Sequence, residues 1–129
     1  MHHHARRLFG VAALFNFTVA AGLLLLRPVL LPLLRLDPVQ GSNVAFADLL
    51  ALMIAVFGYA YWCVANDPVR YRPYIPLSIV GKVAVPLTLA ACWLGGHASG
   101  RLVALGGSDL VFAALFLAFL RRHPEPARA

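Results

Sequence analysis

The chain has 129 residues, 61% of them hydrophobic and 12% charged, with a formal net charge of +6. A soluble domain carries about 25% charged residues, so half that share, together with long apolar runs, excludes an ordinary soluble globule and indicates a single-domain integral membrane protein. The basic residues cluster between apolar segments, and no nucleic-acid-binding motif stands out, so the positive charge speaks for membrane topology and anionic lipid, and nucleic acid is not an expected partner.

Met1-His2-His3-His4 opens the chain. Its imidazoles suit copper or nickel, but a flexible leader is the expected state. The first apolar segment, "LFGVAALFNFTVAAGLLLL" at 8–26, follows Arg6 and Arg7. It exceeds the ~7–15 residues of a signal-peptide core, and no convincing cleavage site follows, so it is expected to remain as a span. "RPVLLPLL" at 27–34 is interrupted by Pro28 and Pro32 and is too short to cross. It is expected to lie along the interface or to cap the bundle. "LRLDPVQGSN" at 34–43 is a polar turn.

The second span is expected at 44–64. It stops at "NDPVRYRP", because Pro68 disfavours helix at Asp67. The third covers 74–94, "YIPLSIVGKVAVPLTLAACWL", and "GGHASGR" at 95–101 forms the next loop. The fourth covers 102–120. Within it "GGSD" at 106–109 reads as part of a continuous helix with a Gly-Gly contact. A helix capped there instead would be too short to cross. The tail "HPEPARA" at 123–129 reads as disordered. Each span is near the ~20 residues that a ~30 Å hydrocarbon core requires. The expected fold is therefore all-α, a four-helix transmembrane bundle. Cys63 and Cys92 fall at opposite membrane faces in this arrangement, too far apart for a disulfide, and read as small packing residues.

Orientation follows the basic residues. With the N-terminus inside, the cytoplasmic segments hold Arg6, Arg7, Arg70, Arg72, Arg121, Arg122 and Arg128, and the outer ones Arg27, Arg35 and Arg101. This bias places both termini in the cytoplasm, in a bacterial inner membrane. Tyr59, Tyr61, Trp62, Tyr71 and Tyr74 read as an aromatic belt at the inner interface, with Trp93 at the outer one.

Asn16, Asp48, Lys82 and Asp109 break the apolar spans. At 1.5 Å rise per residue, Asn16 and Lys82 lie ~12 Å from the inner end of their helices, Asp109 ~16 Å and Asp48 ~24 Å. Lys82 and Asp109 thus match in depth on consecutive antiparallel helices. A charge at mid-bilayer costs at least ~2.5–3.5 kcal/mol and usually pairs or faces a cavity. A Lys82–Asp109 ion pair in the bundle interior is the economical expectation, with Asn16 taking a remaining lysine proton and Asp48 as an outer acidic neighbour. Ser78 lies one turn before Lys82. Ala12, Asn16 and Ala20 form a small-residue stripe, and Gly106 and Ala113 flank Asp109, which allows close helix approach. Pro86 cannot donate to the Lys82 carbonyl, so a kink beside a small polar cavity is expected. These five residues, Lys82, Asp109, Asn16, Asp48 and Ser78, are the ligand or partner candidates.

No catalytic set, phosphate loop, haem motif or metal-ligand spacing is present in the sequence, so no cofactor is expected. The sequon "NFT" at Asn16 lies inside a span.

The four compact spans, with "NDPVRYRPYIPLSIVGKVAV" and then "GSDLVFAALFLAFL", resemble small bacterial membrane proteins of the DoxX-like superfamily over residues 8–122. The resemblance implies a four-helix bundle, in some members an accessory to membrane redox systems, and carries over no catalytic residue. The small multidrug-resistance transporters share the size and span count, but depend on an acidic residue in the first helix, where this chain has Asn16. The leading expectation is a non-enzymatic accessory or binding protein. Its polar cluster would hold a lipid-like or quinone-like small molecule, or pack against a membrane partner or a second copy. The alternatives are an oligomeric proton-linked solute transporter with Asp109 or Asp48 as carrier, and an accessory subunit of a membrane redox complex.

Overall fold

The computed structural model describes residues 1–125 and contains five helices: α1 (His2–Leu25), α2 (Arg27–Leu33), α3 (Asn43–Asn66), α4 (Tyr74–Leu94) and α5 (Gly100–Arg122). Four of them, α1, α3, α4 and α5, are long and apolar enough to cross a membrane. The architecture is the expected all-α four-helix bundle. The free thiols of Cys63 and Cys92 are unbridged.

The helix boundaries follow local chemistry. Asp67 ends α3, and its carboxylate accepts from the backbone N–H groups of Val69 and Arg70, closing a turn around Pro68. Ser99 caps α5 by accepting from the Leu102 N–H at 3.1 Å, which satisfies one of the donors that a helix start leaves open. In α2, Pro28 stands in the first turn, where its missing N–H costs nothing, whereas Pro32 sits inside the helix and helps to end it within two turns. α4 continues through Pro86, and α5 through Gly106 and Gly107.

Two expectations are corrected. The leader is helical from His2, not flexible. Ala5 and Phe9 are fully buried at i, i+4 spacing, and the intervening Arg6 and Arg7 are good helix formers, so nothing halts the helix before residue 2. The tail beyond Arg122 is also tied down in part: Arg72 pairs with Glu125 at 3.5 Å and donates to the His123 carbonyl. The remainder of that tail, 126–129, lies outside the described residues.

The bundle is two antiparallel pairs. α1 packs along α3, and α4 along α5, while the pairs touch each other far less. Their shared core is Ala5, Phe9, Ala12, Ala13, Tyr61, Val64, Ala65, Ile75, Phe116 and Phe119. All of these lie toward the end of the bundle that holds the N- and C-terminal helix ends. Phe9 and Phe116 stack at 4.5 Å, and Phe119 meets Phe9 edge-on at 5.3 Å. In the opposite half Phe46 and Trp93 are mostly exposed and do not fill the interior, where a cavity remains. α2 covers it, held by Arg101 donating to the Leu33 carbonyl at 2.9 Å and by Ser99 donating to the Leu34 carbonyl.

Candidate functional site, an intramembrane ion pair under an apolar cavity

Lys82 and Asp109 meet where the packed half of the bundle gives way to the half that holds the cavity. The Lys82 ammonium donates to Asp109 Oδ1 at 2.7 Å and to Asn16 Oδ1 at 3.0 Å. The Asn16 amide nitrogen donates in turn to the Ile54 carbonyl at 3.0 Å. The chain of bonds therefore ties all four spans together: α3 to α1 through Asn16, α1 to α4 through Lys82, and α4 to α5 through Asp109. Among the described residues no buried side-chain nitrogen or oxygen lacks a partner, which is the condition under which an interior charge is tolerated.

Close helix approach makes the geometry possible. A Cβ at Gly58 would lie 3.2 Å from the Asn16 Cβ and 3.0 Å from the Phe17 ring, so α3 comes up against α1 beside the amide. A Cβ at Gly106 would lie 2.5 Å from a Leu89 methyl, so α5 comes up against α4 one turn from Asp109. The expected Gly-Gly contact is made by Gly106 alone, because a Cβ at Gly107 would meet nothing within 4 Å. Ala12 and Ala20 are buried on either side of Asn16, and Ala113 is buried one turn after Asp109.

Three rings complete the surroundings of the ammonium. Its nitrogen lies 5.1 Å from the Phe112 centroid, 5.2 Å from Tyr61 and 5.7 Å from Phe15, within range of cation–π attraction. Tyr61 is thus corrected from belt to core: it is 2% exposed, whereas Tyr59, Trp62 and Trp93 are more than half exposed on the lipid-facing surface. Pattern reading missed Phe15 and Phe112 as well. One signal for Phe112 was its place three residues after Asp109, on the same face of the helix.

Asp48 and Ser78 do not join the cluster. Asp48 pairs with Arg27 at the α2 end of the bundle, and Arg27 also donates to the Leu23 carbonyl at 2.9 Å. Ser78 is buried but donates to the Tyr74 carbonyl one turn back, at 2.6 Å, the usual backbone bond of a serine inside a helix.

Above the ion pair the helices line a partly open cavity of about 360 Å³. Leu23, Leu50, Met53, Leu89 and Leu105 form its walls, Leu30 and Leu34 close it under α2, and Asn16, Tyr61, Lys82 and Asp109 form its floor. The size is at the lower end of the range for small-molecule sites, and such sites combine apolar walls with a few convergent polar groups. No cluster of three or more metal-ligating side chains occurs among the described residues. Compared with known proteins, the chain matches no family model, no curated protein and no solved structure.

Proposed function

We propose that the protein is a non-enzymatic membrane accessory or binding protein that holds a lipid-like or quinone-like small molecule between its two helix pairs. The observation that carries this reading is the cavity of about 360 Å³ with apolar walls and a single polar floor. An ion pair that served only to fix register would need no recess above it, whereas here an apolar recess ends on the pair and presents it to any molecule that enters. An occupant with a polar head and an apolar body matches both the floor and the walls. In this reading Lys82 offers the donor, Asp109 neutralises and orients it, and Asn16 fixes the lysine from the α1 side. The basic residues at the terminal end favour a bacterial inner membrane with both termini in the cytoplasm, which reporter fusions at each terminus test. The resemblance to DoxX-like proteins favours a partner among membrane redox systems.

Native mass spectrometry of the protein extracted from its membrane tests the binding role. A retained apolar mass is expected, and it should disappear when the cavity is filled by Leu105→Trp. Release of no small molecule from the wild-type protein, with no change in melting temperature on adding quinone or lipid, would sink the proposal.

A further inference from the structure

The floor of the cavity is neutral as a unit. Among the described residues Lys82 and Asp109 are the only charged ones that line it, they are 2.7 Å apart, and their charges cancel wherever the shared proton resides. An ionised head placed on this floor would leave one charge uncompensated in a medium that strongly disfavours unpaired charge. A neutral oxygen meets the opposite situation. Lys82 uses two of its three ammonium protons on Asn16 and Asp109, and Asp109 Oδ2 makes no hydrogen bond among the described residues. A carbonyl oxygen can accept the third proton, and a hydroxyl can also donate to Asp109.

The walls indicate how such a molecule arrives. Of the cavity-lining residues, Leu50, Met53 and Val85 are about half exposed, at 56%, 49% and 47%. Two stand on α3 and one on α4, so the cavity reaches the surface along the α3–α4 seam. That seam is shut toward the terminal end by the Phe57 ring, which would lie 3.6 Å from a Cβ at Gly81. On the α1–α5 side Phe15, Val19, Leu102 and Leu105 are less exposed, and the Phe15 and Phe112 rings meet at 5.5 Å. The opening is lined by apolar side chains in the middle of spanning helices, so it faces hydrocarbon and not water.

From these two observations we infer that the cavity takes a neutral, oxygen-headed apolar molecule directly from the bilayer through the α3–α4 seam and discriminates against ionised amphiphiles. The inference rests on the binding role proposed above. Carbonyl and hydroxyl heads share the required chemistry.

The test uses the full chain in lipid nanodiscs with methyl undecyl ketone, dodecanol, dodecanoate and dodecylammonium as probes, bound fractions being read by native mass spectrometry. The ketone or the alcohol is expected to bind at least ~10-fold more tightly than either ion; ketone ahead of alcohol identifies a carbonyl head, and the reverse a hydroxyl head. Asp109→Asn leaves the floor cationic and should shift preference to dodecanoate, whereas Lys82→Met should shift it to dodecylammonium. Met53→Trp and Val85→Trp should slow uptake of the preferred probe several-fold, and Leu87→Trp, on the lipid-facing surface away from the seam, should not. An ion bound as well as the neutral probes by the wild-type protein overturns the inference and leaves the binding role standing. Uptake unchanged in both seam variants overturns the route. Binding of none of the four probes overturns the inference and the binding role together.

Discussion

Lys82 on α4 and Asp109 on α5 share a charge-assisted hydrogen bond of 2.7 Å, with side chains only 4% and 17% exposed. Removing one partner leaves the other charged and buried. Lys82→Met or Asp109→Leu alone is therefore expected to cost about 3–5 kcal/mol. The double substitution should recover most of that loss, since apolar groups of similar volume replace a buried pair with little net change. Thermal unfolding of the four species in one detergent measures the cycle. Additive losses would mean that the two residues do not stabilise each other.

The glycines separate into those under pressure and those that are free. At Gly58 an added Cβ meets the Asn16 Cβ and the Phe17 ring, and the Asn16 Cβ cannot move without displacing the amide that holds Lys82. Gly58→Ala is expected to lower stability by about 1–3 kcal/mol, the usual cost of overpacking. Gly107→Ala meets open space and replaces a poor helix former with the best one, so it should be neutral or stabilising by up to ~1 kcal/mol. Melting temperatures that rank the two variants the other way would contradict the packing described for α1 and α3.

The sequence made the four spans and the central ion pair legible, because both are set by strong local rules. Hydrocarbon thickness fixes span length, and the cost of a buried charge forces Lys82 to a partner at its own depth. The cavity was not legible in the same way. It depends on the two helix pairs being packed by Phe9, Phe116 and Phe119 at one end and left unfilled at the other, which is a difference in three-dimensional contact and leaves no periodic signal. Tyr61 is hidden in the sequence for a related reason: beside Tyr59 and Trp62 it looks like one more belt aromatic, but its helical phase turns it inward, toward Lys82. Asp48 reads from the sequence as an outer acidic neighbour of the cluster because depth along the span does not reveal Arg27 as its partner, a pairing set by how α2 folds back over the bundle.

Asp48 accordingly behaves differently from Asp109. Its carboxylate is half exposed, at 51%, in its pair with Arg27, and exposed pairs contribute about 0–1 kcal/mol. Asp48→Asn is expected to change stability by less than about 1 kcal/mol and to leave probe binding in the cavity unaltered. A loss of stability comparable to that of Asp109→Leu would show that the Arg27–Asp48 pair under α2 holds the bundle together as much as the central pair does.

The terminal end of the bundle is expected to carry a pH dependence of its own. His4 Nδ1 lies 3.3 Å from His123 Nε2, a contact that requires one nitrogen to carry a proton and the other to offer a lone pair. Partial burial lowers the His123 pKa below its ordinary value, and the positive amino terminus, His4, Arg72 and Arg122 lower it further. Glu125, the nearby acid, is engaged by Arg72. A depressed folded-state pKa means that the unfolded chain binds this proton first. Stability is therefore retained above about pH 6.5, the ordinary histidine value, and falls as the pH drops from there toward the folded-state value. The melting temperature should decline on acidification from roughly pH 7.5 to 5, and His123→Gln should flatten that decline because the proton-linked group is gone. A wild-type melting temperature that rises on acidification, or a profile unchanged by His123→Gln, would show that the junction between the start of α1 and the end of α5 does not sense the proton.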